Sequence, residues 1–312
     1  MSTPIARGVA AVLAAVVLWG VQLPVAKLAF ANIDPYHVTA IRYGIATVIL
    51  VPLLVWSQGL SALRYRGRFW SLSTVGVVGM SVSPLLTYLG LSYSRPEHAA
   101  IISALQPLMV AIAQWWLKAA RPSVFTWACI GSALFGVSAL ITGGKPIEVT
   151  SSNELFGDAL IFGGAVAWVT FAISSEGFKD RTPLSFTTLT IVPGTIATFL
   201  VLATVEAANV VSLPTVAAIQ SAWWQLLYLS FGSVILAMYC WNVGNQRIGP
   251  LNAMLFVNLQ SVVTFAVVFL QGRRFSAIEI GGAMIVIGAL LAHSLHLRAK
   301  AASPKSTRLN SS

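Results

Sequence analysis

The sequence predicts an all-α integral membrane protein, with ten transmembrane helices forming two inverted five-helix repeats around a central cavity. Three observations carry this. Of the 312 residues, 57% are hydrophobic and only 9% charged, against about 25% charged in a soluble domain. The apolar residues fall in runs near the ~20 residues that a helix needs to cross a bilayer. The runs also divide into two halves whose unusual residues recur in the same order.

The apolar runs, bounded by polar or charged breaks, predict spans at 8–30, 36–57, 70–92, 97–118, 123–142, 156–177, 184–206, 222–245, 249–271 and 275–297. A barrel is excluded, because its strands alternate apolar and polar residues over ~10 positions. The first run is too long for a cleavable signal and continues into a Pro/Lys segment, so it reads as a retained span. No stretch between runs has the composition of a separate soluble domain. The expected organisation is a first repeat at 8–142, a linker at 143–155, a second repeat at 156–297 and a polar, disordered tail at 298–312.

Orientation follows from Lys and Arg, which concentrate on the cytoplasmic side. With the N-terminus inside, 13 of them (Arg7, Arg64, Arg66, Arg68, Lys118, Arg121, Lys179, Arg181, Arg247, Arg298, Lys300, Lys305, Arg308) lie inside. Four (Arg95, Lys145, Arg273, Arg274) lie outside, the last two as a local exception. Both termini are therefore expected in the cytoplasm. The net charge of +10 needs no nucleic acid to explain it. Cys129 and Cys240 sit inside apolar runs and read as small buried side chains. The four histidines (37, 98, 293, 296) form no cluster, so neither metal nor cofactor is expected. With no nucleophile–base pair or paired carboxylates at depth, an enzyme is not expected either.

The repeat shows in spans 1 and 6, where Gly8 matches Gly157 and Trp19 matches Trp168, both 149 residues apart. In spans 4 and 9, Pro96 matches Pro250, Ala99 matches Ala253 and Gln106 matches Gln260, each 154 residues apart. Five spans per repeat make the second copy enter from the opposite face. Secondary transporters have this architecture, with the substrate site near the midplane between the repeats.

Trp19, Trp168, Gln106 and Gln260 all fall halfway along their spans. A buried amide without partners costs about 1–3 kcal/mol and lipid offers none, so the glutamines should face protein or a wet cavity. Helical spacing puts Trp19 and Gln22 on one stripe, and Ser103 and Gln106 on another. Pro107 removes the backbone bond to the Ser103 carbonyl. Pro24 does the same to Gly20, and Pro84 to Met80. Each freed carbonyl is a candidate cavity group. Tyr88 in span 3 and its mate Asn242 in span 8 lie near opposite ends, as two gates would. The expected substrate-binding set is therefore Trp19, Gln22, Tyr88, Ser103, Gln106, Trp168, Asn242 and Gln260. Lys27 reads as snorkelling to the interface. Arg42 reads as structural, pairing with a carbonyl or Asp34. Tyr36, Tyr43, Trp70, Trp115–Trp116 and Trp223–Trp224 read as the interfacial belt.

The stretches "LWGVQLPVAKLAF", "IRYGIA", "ISALQPLMVAIAQWWL" and "GDALIFGGAVAW", in that order over residues 8–297, resemble the drug/metabolite transporter superfamily in its ten-span branch with two EamA-type domains. Within it, the chain is most similar to bacterial exporters of aromatic amino acids, which also pass methionine and threonine. The resemblance implies a cavity lined by spans 1, 3, 4, 6, 8 and 9, and export of small neutral amino acids across the bacterial inner membrane by alternating access. Spans 4 and 9 end in "LKAAR" and "LQGRR", where the family often has Gly-Glu. Because Asp and Glu lie in loops or near span ends, with Asp158 and Glu279 closest to the interior, facilitated diffusion is the expectation. The alternatives are a carrier of another small metabolite, such as a sugar phosphate or nucleotide sugar, and a non-transporting sensor or subunit. A phosphate carrier would need several Lys or Arg at depth, where this chain has two. A monomer suffices, although the glycine-rich span 10 offers a surface to a neighbouring helix or second subunit.

Overall fold

A computed structural model describes residues 4–94, 96–118, 121–144, 152–270 and 274–302. No strand occurs among them. Seven helices are long and apolar enough to cross a membrane, and shorter apolar helices at Ile101–Leu117, Val124–Leu140 and Ala277–His293 complete ten. We number them α1 (Pro4–Phe30), α2 (Pro35–Gln58), α3 (Phe69–Tyr93), α4 (Pro96–Ala104 and Gln106–Lys118), α5 (Val124–Thr142), α6 (Ser152–Phe178), α7 (Pro183–Ala207), α8 (Trp223–Ile248), α9 (Pro250–Val257 and Leu259–Leu270) and α10 (Ala277–Ala302).

Local chemistry sets the boundaries. Asp34 caps α2 by accepting from the backbone N–H groups of Tyr36 and His37, and Pro35 fills the first turn. Thr182 caps α7 by accepting from the Ser185 N–H, again followed by proline. Such caps satisfy donors that helix starts leave open, and proline suits a position whose N–H is unused. Gly249, at φ 80°, ends α8 and lets Pro250 begin α9 at once. Helix α10 runs to Ala302, five residues into the segment expected to be a disordered tail. Its last turns, "LRAKAA", are strong helix formers, and the first proline beyond them is Pro304. Residues 303–312, most of the expected linker (145–151), and Arg95 and Arg273 of the charge count lie outside the described residues.

The two halves repeat one contact pattern. Helix α1 packs on α8 as α6 packs on α3, while α8 meets α2 as α3 meets α7, and α5 pairs with α10. Glycines permit the closest approaches. A Cβ at Gly90 of α3 would lie 2.6 Å from the Gly157 carbonyl of α6, and one at Gly244 of α8 would lie 2.8 Å from the Gly8 carbonyl of α1. Gly136 of α5 and Gly282 of α10 meet likewise, which accounts for one glycine of the last span. Thr47 and Thr195 are repeat mates, 148 residues apart, and their hydroxyls are 2.7 Å apart. Mates that touch must straddle the axis relating them, so the pseudo-two-fold axis passes between these threonines.

A second link joins α2 to α7. His37 is almost fully buried, with one ring nitrogen 2.5 Å from Asp34 and the other 2.8 Å from Glu206. Removing the ring takes away the donor between the Asp34 and Glu206 carboxylates and leaves them facing each other. His37→Ala should therefore destabilise the fold by about 1–3 kcal/mol, read as a lower thermal midpoint of the purified protein in detergent. An unchanged midpoint would mean that the carboxylates simply rehydrate.

Candidate functional site

A cavity of about 140 Å³ lies at the centre of the helices. Its wall comes from α1, α3, α4, α6, α8 and α9, as the resemblance implied, and also from α2 through Arg42 and Tyr43. The lining residues sit at mid-depth or in the half of each helix nearer the face opposite the N-terminus.

Irregular backbone borders the space on two helices. In α3 residues Val78–Val82 form a π-turn, and the Ser83 N–H reaches back to the Val78 carbonyl. Pro84, one residue on, has no N–H to continue the regular ladder. In α8 a longer π-segment spans Tyr228–Leu236, at the matching place in the second repeat but without a proline. Such bulges concentrate at functional sites because they leave carbonyls available and re-aim side chains. Here the Ser233 carbonyl accepts from the Trp19 indole N–H at 2.9 Å, fixing that ring.

Aromatic rings close the end nearer the N-terminal face. Trp19 meets Trp168 edge-on with centroids 5.3 Å apart. Trp241 lies 5.3 Å from Trp19 and 5.5 Å from Trp168. Below this triad Trp168 stacks on Phe171, Phe171 on Phe186 and Phe186 on Phe178. Such pairs contribute about 0.5–1.5 kcal/mol each beyond their burial, which favours the closed arrangement of this end. Polar ties brace the same side. Asn245 donates to Ser175 Oγ at 2.8 Å and to the Ala172 carbonyl, and Asn242 donates to Thr187 Oγ1 at 2.8 Å. In the connection before α7, burial and then the nearby Arg66 charge hold the Arg181 guanidinium below the usual arginine range.

The other end is polar. The Tyr88 hydroxyl accepts from Arg42 Nη1 at 2.6 Å and from Gln22 Nε2 at 2.7 Å. The guanidinium lies 4.6 Å from the Tyr88 ring centroid and 5.0 Å from that of Tyr43. Between the two ends, Gln106 lines the wall at the break of α4, where the Leu105 N–H turns to Ile102 in a tighter bond of 3.1 Å. The Gln106 Oε1 is buried and has no hydrogen-bond partner among the described residues.

Seven of the eight residues expected to bind substrate come together on this wall: Trp19, Gln22, Tyr88, Ser103, Gln106, Trp168 and Gln260. Asn242 does not. It is buried against α7 on the N-terminal side of the tryptophan triad, where Thr187 offers its amide an oxygen. Of the prolines, Pro84 is on the wall, whereas Pro24 and Pro107 are not. Pro24 does free the Gly20 carbonyl, but Thr264 Oγ1 of α9 donates to it at 2.7 Å, so it is spent on helix packing. Tyr43 and Arg42 also depart from expectation. Tyr43 is buried on the cavity wall rather than at the interface. Arg42 makes no ion pair with Asp34, whose carboxylate is occupied by His37 and the α2 cap. The signal for Arg42 was available: a charge inside a span marks a functional position by default. Trp241 carried no such signal, since its mate in the first repeat is Thr87.

Comparison with known proteins gives one consistent family. The model of the EamA-like transporter family matches residues 6–142 and again 155–295. The uncharacterized transporter YrdR of Bacillus subtilis is 28% identical over 284 residues, covering 90% of this chain and 88% of its own length. Another from that organism, YyaM, is 29% identical over 276 residues, or 88% of this chain and 89% of its own. The aromatic amino acid exporter YddG of Ancylobacter novellus is 24% identical over 243 residues, covering 75% of this chain and 77% of its own. A solved crystal structure with 18% identity superposes with a TM-score of 0.77 over 95% of this chain and 99% of that one, a likeness of fold.

Proposed function

As the chain belongs to the EamA-like transporter family, we propose that this membrane transporter exports aromatic and other neutral amino acids, methionine and threonine among them, by alternating access. The observation that carries the reading is a cavity of about 140 Å³ with tryptophan rings at one end and amides and hydroxyls along its walls. A cavity of ~150 Å³ accepts a benzene molecule, so the space suits one aromatic ring. Trp19 and Trp168 offer faces and edges to that ring, and Gln106 Oε1 offers an acceptor to an ammonium group. The relative named as an aromatic amino acid exporter adds support. On the likeness to bacterial transporters we place the protein in the bacterial inner membrane, and on the Lys/Arg asymmetry with both termini cytoplasmic. No carboxylate lines the cavity among the described residues, which favours facilitated diffusion over proton coupling.

The test is flux of radiolabelled phenylalanine, methionine and threonine in proteoliposomes. Wild-type protein should carry phenylalanine, and Trp168→Ala or Gln106→Ala should each lower the initial rate about tenfold or more. A pH gradient should leave the rate unchanged. Absence of amino-acid flux retires the assignment, and a rate driven by the gradient retires the uncoupled mechanism.

A further inference from the structure

We propose that Arg42 and the Tyr88 hydroxyl dock a carboxylate of the transported molecule, so that the cavity selects carboxylic acids and rejects their amides and amines. The inference rests on the cavity being the substrate site and adds the chemical group it recognises.

Three facts point to an anion. Arg42 is 3% exposed and lines the cavity, yet has no ion pair among the described residues. Its Nε–H is buried without an acceptor among the described residues. The Tyr88 oxygen receives hydrogen bonds from both Arg42 and Gln22, while no acceptor for the phenolic proton occurs among the described residues. Arginine has donors only, tyrosine one donor beside its oxygen, and glutamine two donors beside one oxygen. Whichever way the Gln22 amide is turned, the cluster holds more donors than acceptors and one positive charge.

A buried cation needs a counter-charge with hydrogen-bond geometry. A carboxylate supplies two oxygens that match the guanidinium fork. The phenol can donate to one of them. A phosphate dianion would want further cations, and among the described residues the cavity wall offers only Arg42. The tyrosine rings beside the guanidinium hold it in place but bring no negative charge. Polarity along the cavity then orients the ligand, with its carboxylate toward the end away from the N-terminal face and its apolar group on the tryptophans.

Binding of five probes of similar shape to the purified full-length protein, followed by tryptophan fluorescence and thermal shift, tests this. Phenylalanine and 3-phenylpropionate should bind, and phenylalaninamide and phenethylamine should bind about 30-fold or more weakly. Arg42→Gln should abolish that discrimination, and Arg42→Lys should recover part of it. Gel filtration would confirm that each variant is folded, and the wild-type ranking alone decides the matter if neither is. Should 3-phenylpropionate bind while phenylalanine neither binds nor crosses, the amino-acid assignment fails and the carboxylate dock stands. Should phenylalanine be transported and phenylalaninamide compete equally well, the assignment stands and the dock falls. Tighter binding of phenyl phosphate than of either acid, or no binding of any carboxylate, also overturns it.

Discussion

Trp241→Ala is expected to open the cavity to the N-terminal face and to lower stability more than any other single change in the site. Trp241 is fully buried and touches both Trp19 and Trp168. Its indole N–H has no partner among the described residues, so the variant loses packing and no hydrogen bond to them. Truncation of a buried tryptophan costs about 3–5 kcal/mol. The void it leaves opens in the triad itself, next to the side where Asn242 and Thr187 offer polar groups to incoming water. The inverted repeat gives the same conclusion from symmetry. Thr87 lines the cavity on one side of the midplane, and its mate 154 positions later is Trp241, on the sealed side. The cavity's symmetry-related counterpart is therefore the space that Trp241 fills, and the alternating access proposed above would require this ring to move.

The measurement is thiol accessibility. In a Cys129→Ser, Cys240→Ser background, a cysteine replacing Ser103 should react with an impermeant reagent added on the face opposite the N-terminus and not from the N-terminal face. Adding Trp241→Ala should raise reactivity from the N-terminal face by about tenfold or more, the equivalent of about 1.4 kcal/mol in the sealed-to-open equilibrium. If reactivity stays one-sided while the thermal midpoint falls, the seal resides in Phe171, Phe186 and Phe178 rather than in the triad.

What the sequence reveals of this site follows the repeat. Trp19 and Trp168, and Gln106 and Gln260, announce their depth because each occurs twice at one level, and all four line the cavity. Arg42 and Trp241 occur once. Their mates are Thr190 and Thr87, so an argument from internal symmetry passes over both, although one supplies the cavity's charge and the other part of its floor. Pro24 shows a second limit. Its local effect on Gly20 is readable, but the hydroxyl that takes up the carbonyl lies 244 residues away. Asn242 shows a third. It stands 154 positions after Tyr88, the offset of the repeat, but a cavity present on one side of the midplane breaks the equivalence of mates. The ends of helices were more legible than the contacts between them, because Asp34, Thr182 and Gly249 act on their own neighbours.

Leucine at Gly90 or Gly244 should prevent the protein from reaching a folded, monodisperse state. At Gly90 the added Cβ alone would sit 2.6 Å from the Gly157 carbonyl oxygen and 3.0 Å from the Ile161 backbone nitrogen. At Gly244 it would run into Val12 Cγ2 and lie 2.8 Å from the Gly8 carbonyl. Backbone atoms of a packed helix cannot step aside singly, so the helix pair must separate along its length. In lipid no hydrophobic effect drives helices together, and close packing through small residues supplies much of the association. Overpacking ordinarily costs about 1–3 kcal/mol, and a branched side chain driven into a facing backbone exceeds that range. Because α1–α8 and α6–α3 are the same contact in two copies, the two substitutions should fail to a similar degree. Gly131, Gly281 and Gly288 provide the contrast, since a Cβ there meets nothing within 4 Å. Alanine at those helical positions should leave the stability unchanged or raise it by up to about 1 kcal/mol, read as an unchanged or higher thermal midpoint. Gel-filtration profiles and midpoints in one detergent separate the two classes. A well-folded Gly90→Leu protein would mean that α3 and α6 have room to part, and that the glycine contacts do not set the spacing around the cavity.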